Sequence, residues 1–166
     1  MVVYEILIKT GFRFEGWTRD DVFIRLYGRN DEITEKNLRD LDRIAFTRGS
    51  THTFTFETDV NIGDQARIAL WRDGYWFTCW YIDWIQITPA GGNASIFPVQ
   101  KWIKQKRKYF FNHIDTCLPQ QDRYREMRQD ELRIIQNEYQ LEVKEPGLPA
   151  QVKELPDDET FSFQES

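Results

Sequence analysis

The 166-residue chain is poor in the residues that build metal and disulfide sites: it has two cysteines, Cys79 and Cys117, and two histidines, His52 and His113. The cysteines are far apart and lack metal-ligand spacing, which argues against a disulfide framework and for a reducing compartment. They read as one buried and one linker residue. No apolar run is long enough to span a bilayer, and no basic-then-apolar leader precedes the first strand pattern. A soluble, cytoplasmic protein is expected, with any membrane contact peripheral. Positive charge is not in excess either. The net charge of -5 argues against a nucleic-acid partner. Gly-rich phosphate loops and nucleophile elbows are missing too.

Aromatic residues are plentiful, at 15% of the chain, and favour strands and interfaces. Tyr4, Ile6 and Ile8 alternate with Glu5, Leu7 and Lys9. Val22, Ile24 and Leu26 alternate with Phe23, Arg25 and Tyr27, and Phe54 and Phe56 with Thr53 and Thr55. Ile68 and Leu70 alternate with Arg67 and Ala69. This period of two, broken by turn signals such as Gly28–Asn30 and Asn61–Asp64, predicts an antiparallel sandwich. The run CWYIDWIQIT is aromatic on both faces. It is expected mid-sheet, packed on each side, with Trp80 and Trp84 in the core. After Pro98 the segment KWIKQKRKYFF is basic and aromatic. Residues from about Gln121 to Leu141 read as a helix, with Leu132, Ile135 and Tyr139 on one face and Asp122 as a cap. The Pro-rich, acidic tail reads as an extended linker.

One connection breaks the pattern. FRFEGWTRDD, residues 12 to 21, places Phe12, Phe14 and Trp17 where polar turn residues are expected. Burying one such side chain is worth about 1.5–3 kcal/mol, so three in a loop call for a surface.

Several motifs in order match a family. YEILIKTG is followed by T-x-D-D-V-F-I-R-L-Y-G (Thr18 to Gly28). Then come F-x-R-G (Phe46 to Gly49), W-Y-I-x-W-I-x-I-T (Trp80 to Thr88) and FPVQKWI (Phe97 to Ile103). E-L-x-x-x-Q-x-x-Y (Glu131 to Tyr139), P-G-L-P (Pro146 to Pro149) and L-P-D-D (Leu155 to Asp158) close the series. The chain resembles the N-terminal PLAT domain and connector of an animal lipoxygenase. That resemblance implies an all-β, eight-stranded antiparallel PLAT sandwich over residues 1–103. A basic and helical connector over 104–142 and an extended linker over 143–166 would lead toward a catalytic domain acting as partner in cis. In the family that domain holds non-haem iron and oxygenates polyunsaturated fatty acids. Such an iron site needs several imidazoles. His52 and His113 are far apart, so they are expected to be structural or surface residues and the chain itself non-catalytic.

The family's sandwich often binds calcium, which takes six to eight oxygens. Its first loop reads roughly A-G-T-D-D. Here Trp17 falls at the glycine and Arg19 at the first acid. The second loop, Arg43 to Thr47, has no carboxylate. Calcium binding is therefore expected to be absent or weakened, with Arg19 and Arg43 as counter-ions in its place. The competing expectation is a shifted calcium site at Glu15, Asp20 and Asp21. Membrane contact is expected through Phe14, Trp17, Trp76, Phe77 and Trp102, aided by Lys101, Lys104, Lys106, Arg107 and Lys108 near anionic phospholipid. Two functions follow: a non-catalytic regulatory and membrane-targeting domain of a lipoxygenase-type fatty-acid dioxygenase, or a standalone module that binds a protein partner.

Overall fold

The computed structural model describes residues 1–43, 46–74, 79–113, 118, 120–122 and 125–155. They fall in two compact units, 1–115 and 116–166. In chain order the first unit holds β1 (Val2–Thr10), β2 (Asp21–Gly28), β3 (Glu32–Asn37), the one-turn α1 (Leu38–Leu41), β4 (Thr51–Thr58), β5 (Gln65–Asp73), β6 (Trp80–Pro89), β7 (Ser95–Ile103) and β8 (Tyr109–Asn112). All pairings between these strands are antiparallel. One sheet runs β4-β1-β6-β7 and the other β3-β2-β5-β8. The alternation predicts this antiparallel sandwich, and the family resemblance implies its eight strands.

The alternating apolar residues of both sheets meet in one core. Tyr4, Ile6 and Ile8 of β1 join Ile24 and Leu26 of β2, Ile68 and Leu70 of β5, and Ile82, Ile85 and Ile87 of β6. Burying each aliphatic side chain contributes about 1.5–3 kcal/mol. Two buried polar side chains close hydrogen bonds within this core. The Tyr4 hydroxyl accepts from the Ile62 amide at 3.2 Å, and the Trp80 indole donates to Thr10 Oγ1 at 3.1 Å.

Two expectations change here. Trp84 is not core: it is half-buried on the outer face, opposite Pro98. The register shifts between Ile82 and Trp84, so the inward phase passes from Ile82 to Ile85 and leaves Trp84 outside. The sandwich also continues past residue 103, because Tyr109–Asn112 hydrogen-bonds β5 as its last strand. Tyr109 fills the inner position, and its hydroxyl accepts from the Lys104 amide at 3.0 Å. The basic residues around this short strand hid its alternation.

In the second unit, α2 (Arg125–Glu138) carries exposed Leu132, Ile134 and Ile135. Asp122 pairs with Arg128 at 3.1 Å. The tail is not wholly extended. β9 (Leu141–Glu142) and β10 (Gln151–Val152) form a small antiparallel pair, and the Lys153 amide donates to the Gln140 carbonyl at 2.7 Å.

Gly28 ends β2 where a Cβ would stand 2.1 Å from the Ile62 carbonyl oxygen. Gly28→Ala must therefore push two backbones apart, at a cost of about 1–3 kcal/mol. Urea denaturation should show a lower midpoint with an unchanged slope; an unchanged midpoint would mean the approach is not a constraint.

Candidate functional site

The β1–β2 connection is a tied loop. The Gly11 amide donates to the Tyr81 carbonyl at 2.8 Å, and the Gly49 amide to the Gly11 carbonyl at 3.2 Å. Within the loop the Gly16 amide donates to the Arg13 carbonyl at 3.1 Å and the Trp17 amide to the Glu15 carbonyl at 2.9 Å. Glu15 sits in the left-handed region at φ 58°, a strained choice for a side chain with a Cβ. Bridges join Gly16 to Cys79 and Thr18 to Phe46. Phe46 itself is buried against Trp80, with ring centroids 4.5 Å apart.

The ties hold the backbone while the aromatic side chains face out. Phe12 is 76% exposed, Phe14 72% and Trp17 40%. Arginines rim them. Arg48 lies over the Phe12 ring at 4.3 Å, Arg19 over Trp17 at 5.9 Å and Arg13 over Tyr81 at 5.0 Å. Such contacts are worth about 0.5–1 kcal/mol at exposed sites, so they orient the rings without covering them. Trp102 is half-buried, edge-on to Tyr81 at 5.3 Å. Tyr81 thus links Trp102 to Arg13 of the loop. Trp76 and Phe77 lie outside the described residues.

The loop's acidic end has a partner that sequence reasoning missed. Arg72 continues the inward phase of Ile68 and Leu70 on β5 and ends the core with a guanidinium. One terminal nitrogen of Arg72 donates to Asp20 Oδ2, with the two side chains only 3% and 6% exposed. The same nitrogen lies 3.4 Å from Thr18 Oγ1, and Nε donates to the Ile103 carbonyl at 2.7 Å. Asp20 also accepts from Gln105 Nε2 at 3.3 Å, and its amide donates to Thr18 Oγ1 at 3.1 Å. Gly74 completes the cradle: a Cβ there would stand 2.0 Å from Asp20 Oδ1. Burial pushes the Arg72 pKa below its ordinary value and Asp20 opposes that shift. The guanidinium stays charged. The available sequence signal was an arginine in the inward phase of an apolar strand.

The counter-ions expected from local sequence are elsewhere. Arg19 lies over Trp17 and Arg43 is exposed. Among the described residues neither pairs with Glu15, Asp20 or Asp21. Asp21 is instead bridged by Arg39 at 3.2 Å. The reason is topological: β2 and β5 pair Val22 with Arg72, which brings a residue 52 positions away onto Asp20. Calcium would have to share Asp20 and Asp21 with these arginines. Among the described residues no three His, Cys, Asp or Glu side chains gather to hold a metal. Calcium takes six to eight oxygens, more than the described carboxylates of this loop supply on their own. Cys79, beside the loop, is exposed rather than buried.

His52 lies behind the loop, edge-on to Phe46, with Nε2 2.8 Å from Ser50 Oγ. Ser50 gives its proton to the Thr47 carbonyl at 2.5 Å, so the imidazole N–H donates to Ser50. That arrangement orders a turn and is not a nucleophile with its base. Burial lowers the His52 pKa, and Asp42 partly opposes the shift. A histidine depressed on folding stabilises the fold above its unfolded pKa of about 6.5, and the contribution is lost as pH falls through the folded value. His52→Gln should therefore lose less stability than the parent between neutral and mildly acidic pH. Equal losses in urea titrations at both pH values would rule out this role.

The geometry can be set beside known proteins. A family model described as PLAT/LH2 domain matches residues 4–116. The chain is 30% identical over 109 residues to Lipoxygenase homology domain-containing protein 1 of Mus musculus, covering 64% of this chain and 5% of that protein. It is 25% identical over 176 residues to Hydroperoxide isomerase ALOXE3 of Homo sapiens, covering 98% of this chain and 24% of that protein. Among solved structures, coral 8R-lipoxygenase, described as activated by calcium via a C2-like domain, superposes with a TM-score of 0.81 at 24% identity. That match covers 96% of this chain and 25% of that one. The chain thus spans about a quarter or less of these relatives. The sandwich, its strand order and the match over residues 4–116 make this chain a member of the PLAT/LH2 domain family.

Proposed function

We propose that the chain is a non-catalytic regulatory domain that docks a lipoxygenase-type fatty-acid dioxygenase on phospholipid surfaces, with calcium dependence lost or weakened. The carrying observation is the tied loop that leaves Phe12, Phe14 and Trp17 exposed inside a rim of arginines. A flexible loop would fold these rings back for about 1.5–3 kcal/mol each. Partial insertion returns about 1–2 kcal/mol per ring. Each nearby cation adds about 1 kcal/mol at an anionic leaflet. Reversible peripheral binding follows, at the cytoplasmic face of a membrane. Among the described residues no helix is long and apolar enough to cross one.

On this reading the residues after the sandwich lead toward a catalytic domain, which would hold the iron. The similarity to the catalytic relative over 98% of this chain, through α2 and the tail, supports that direction. The second reading is a standalone module for a protein partner. Its support is the 30% identity to a protein named for its lipoxygenase homology domains.

Co-sedimentation with phosphatidylcholine–phosphatidylserine vesicles in excess chelator tests the first reading. Replacing Phe12, Phe14 and Trp17 by Ala together should weaken binding at least tenfold, about 1.4 kcal/mol. Undiminished binding by the triple variant would remove lipid docking through this loop.

A further inference from the structure

We propose that Arg72 is a resident cation, which takes the place of a bound calcium ion at Asp20 and holds the aromatic loop permanently in its docking form. The inference rests on the docking reading for its consequence and adds the regulation: the loop is set by the chain itself and not by a metal.

Asp20 is the retained acid of the loop, and its carboxylate is nearly out of water. An unpaired carboxylate there would pay a large desolvation cost and take up a proton. A cation must therefore be supplied, either from solution or from the chain. Arg72 supplies it from the neighbouring strand β5 of the same sheet and makes bonds that a metal would make. It binds the Asp20 carboxylate and approaches the Thr18 hydroxyl, and it takes the Ile103 backbone carbonyl. These oxygens come from the β1–β2 loop and the end of β7. The Arg72 carbonyl accepts from the Lys106 amide at 3.0 Å, which ties in the following turn. Gln105 closes on the same carboxylate oxygen. Two chain segments thus converge on the guanidinium, and a third, at Gln105 and Lys106, holds its carboxylate partner and the Arg72 backbone.

The steric record agrees. Gly74 leaves no room for a Cβ beside Asp20 Oδ1, so the carboxylate is held between the Gly74 backbone and the guanidinium. A planar fork suits this arrangement, because its donors point at fixed oxygens along different directions. An ion with a shell of six to eight oxygens does not fit alongside it. With Thr18 bridged to Phe46 and Asp20 held by Arg72, the residues that follow Trp17 are fixed at both points. Trp17 and the two phenylalanines therefore keep their outward position without an ion to order them.

Chemical rescue tests the proposal without any lipid, so its failure and that of membrane docking are separable. Arg72→Ala vacates a guanidinium-sized space lined by Asp20, Thr18, Ile103 and Gln105. Millimolar guanidinium should raise the melting temperature of Arg72→Ala by several degrees. It should leave the parent unchanged, and urea at equal concentration should do nothing. Guanidinium that shifts both proteins alike would overturn a specific cation site. If Arg72→Ala does not fold, the parent still decides the matter by amide hydrogen exchange across residues 16–21, with calcium chloride or with chelator. Equal protection in both supports the resident cation; slower exchange with calcium overturns it.

Discussion

Arg72 and Asp20 meet where the inner face of β5 runs out of apolar residues and the β1–β2 loop begins. Both are almost excluded from water, so each makes the other tolerable. Removing one partner of such a pair typically costs about 3–5 kcal/mol, because the remaining charge stays buried. A well-packed apolar pair would close the sandwich as well or better. What the ion pair adds is position: Asp20 is fixed relative to β5, and with it the direction in which the loop leaves the sheet. The same loop carries the exposed rings of Phe12, Phe14 and Trp17 and the bridges at Gly16 and Thr18.

The sandwich was legible wherever alternation was regular. Ile6 and Ile8, Ile24 and Leu26, Ile68 and Leu70 all stand inward as their spacing demands. It was not legible where the phase slips. The register shift at Asp83 exchanges the faces of β6, and Trp84 lands outside although it lies in an apolar run. β8 escaped because four residues are too few for a period to emerge among lysines and arginines. In the site, the exposed aromatics could be read from composition and place. The cation could not be read from proximity in sequence. Arg19 adjoins Asp20 along the chain, yet its side chain lies over the Trp17 ring. Antiparallel pairing of β2 with β5 brought Arg72 there instead.

A domain ordered by its own arginine has a different physical character from one ordered by an ion. An ion can leave, so its binding free energy becomes a gate on the loop. A guanidinium on a core strand leaves only when the strand does, so the loop's order follows the stability of the whole sandwich. The exposed aromatics are then a standing feature of the surface, with Arg19 over Trp17 and Arg48 over Phe12.

The coupling between Asp20 and Arg72 is the quantity that decides whether this account holds. A double-mutant cycle with Asp20→Asn and Arg72→Gln, followed by urea denaturation, measures it directly. The account predicts a coupling free energy of at least about 2 kcal/mol, since each charge is buried only because the other is present. Additive effects, within about 0.5 kcal/mol, would contradict it and return the loop's order to its backbone ties alone.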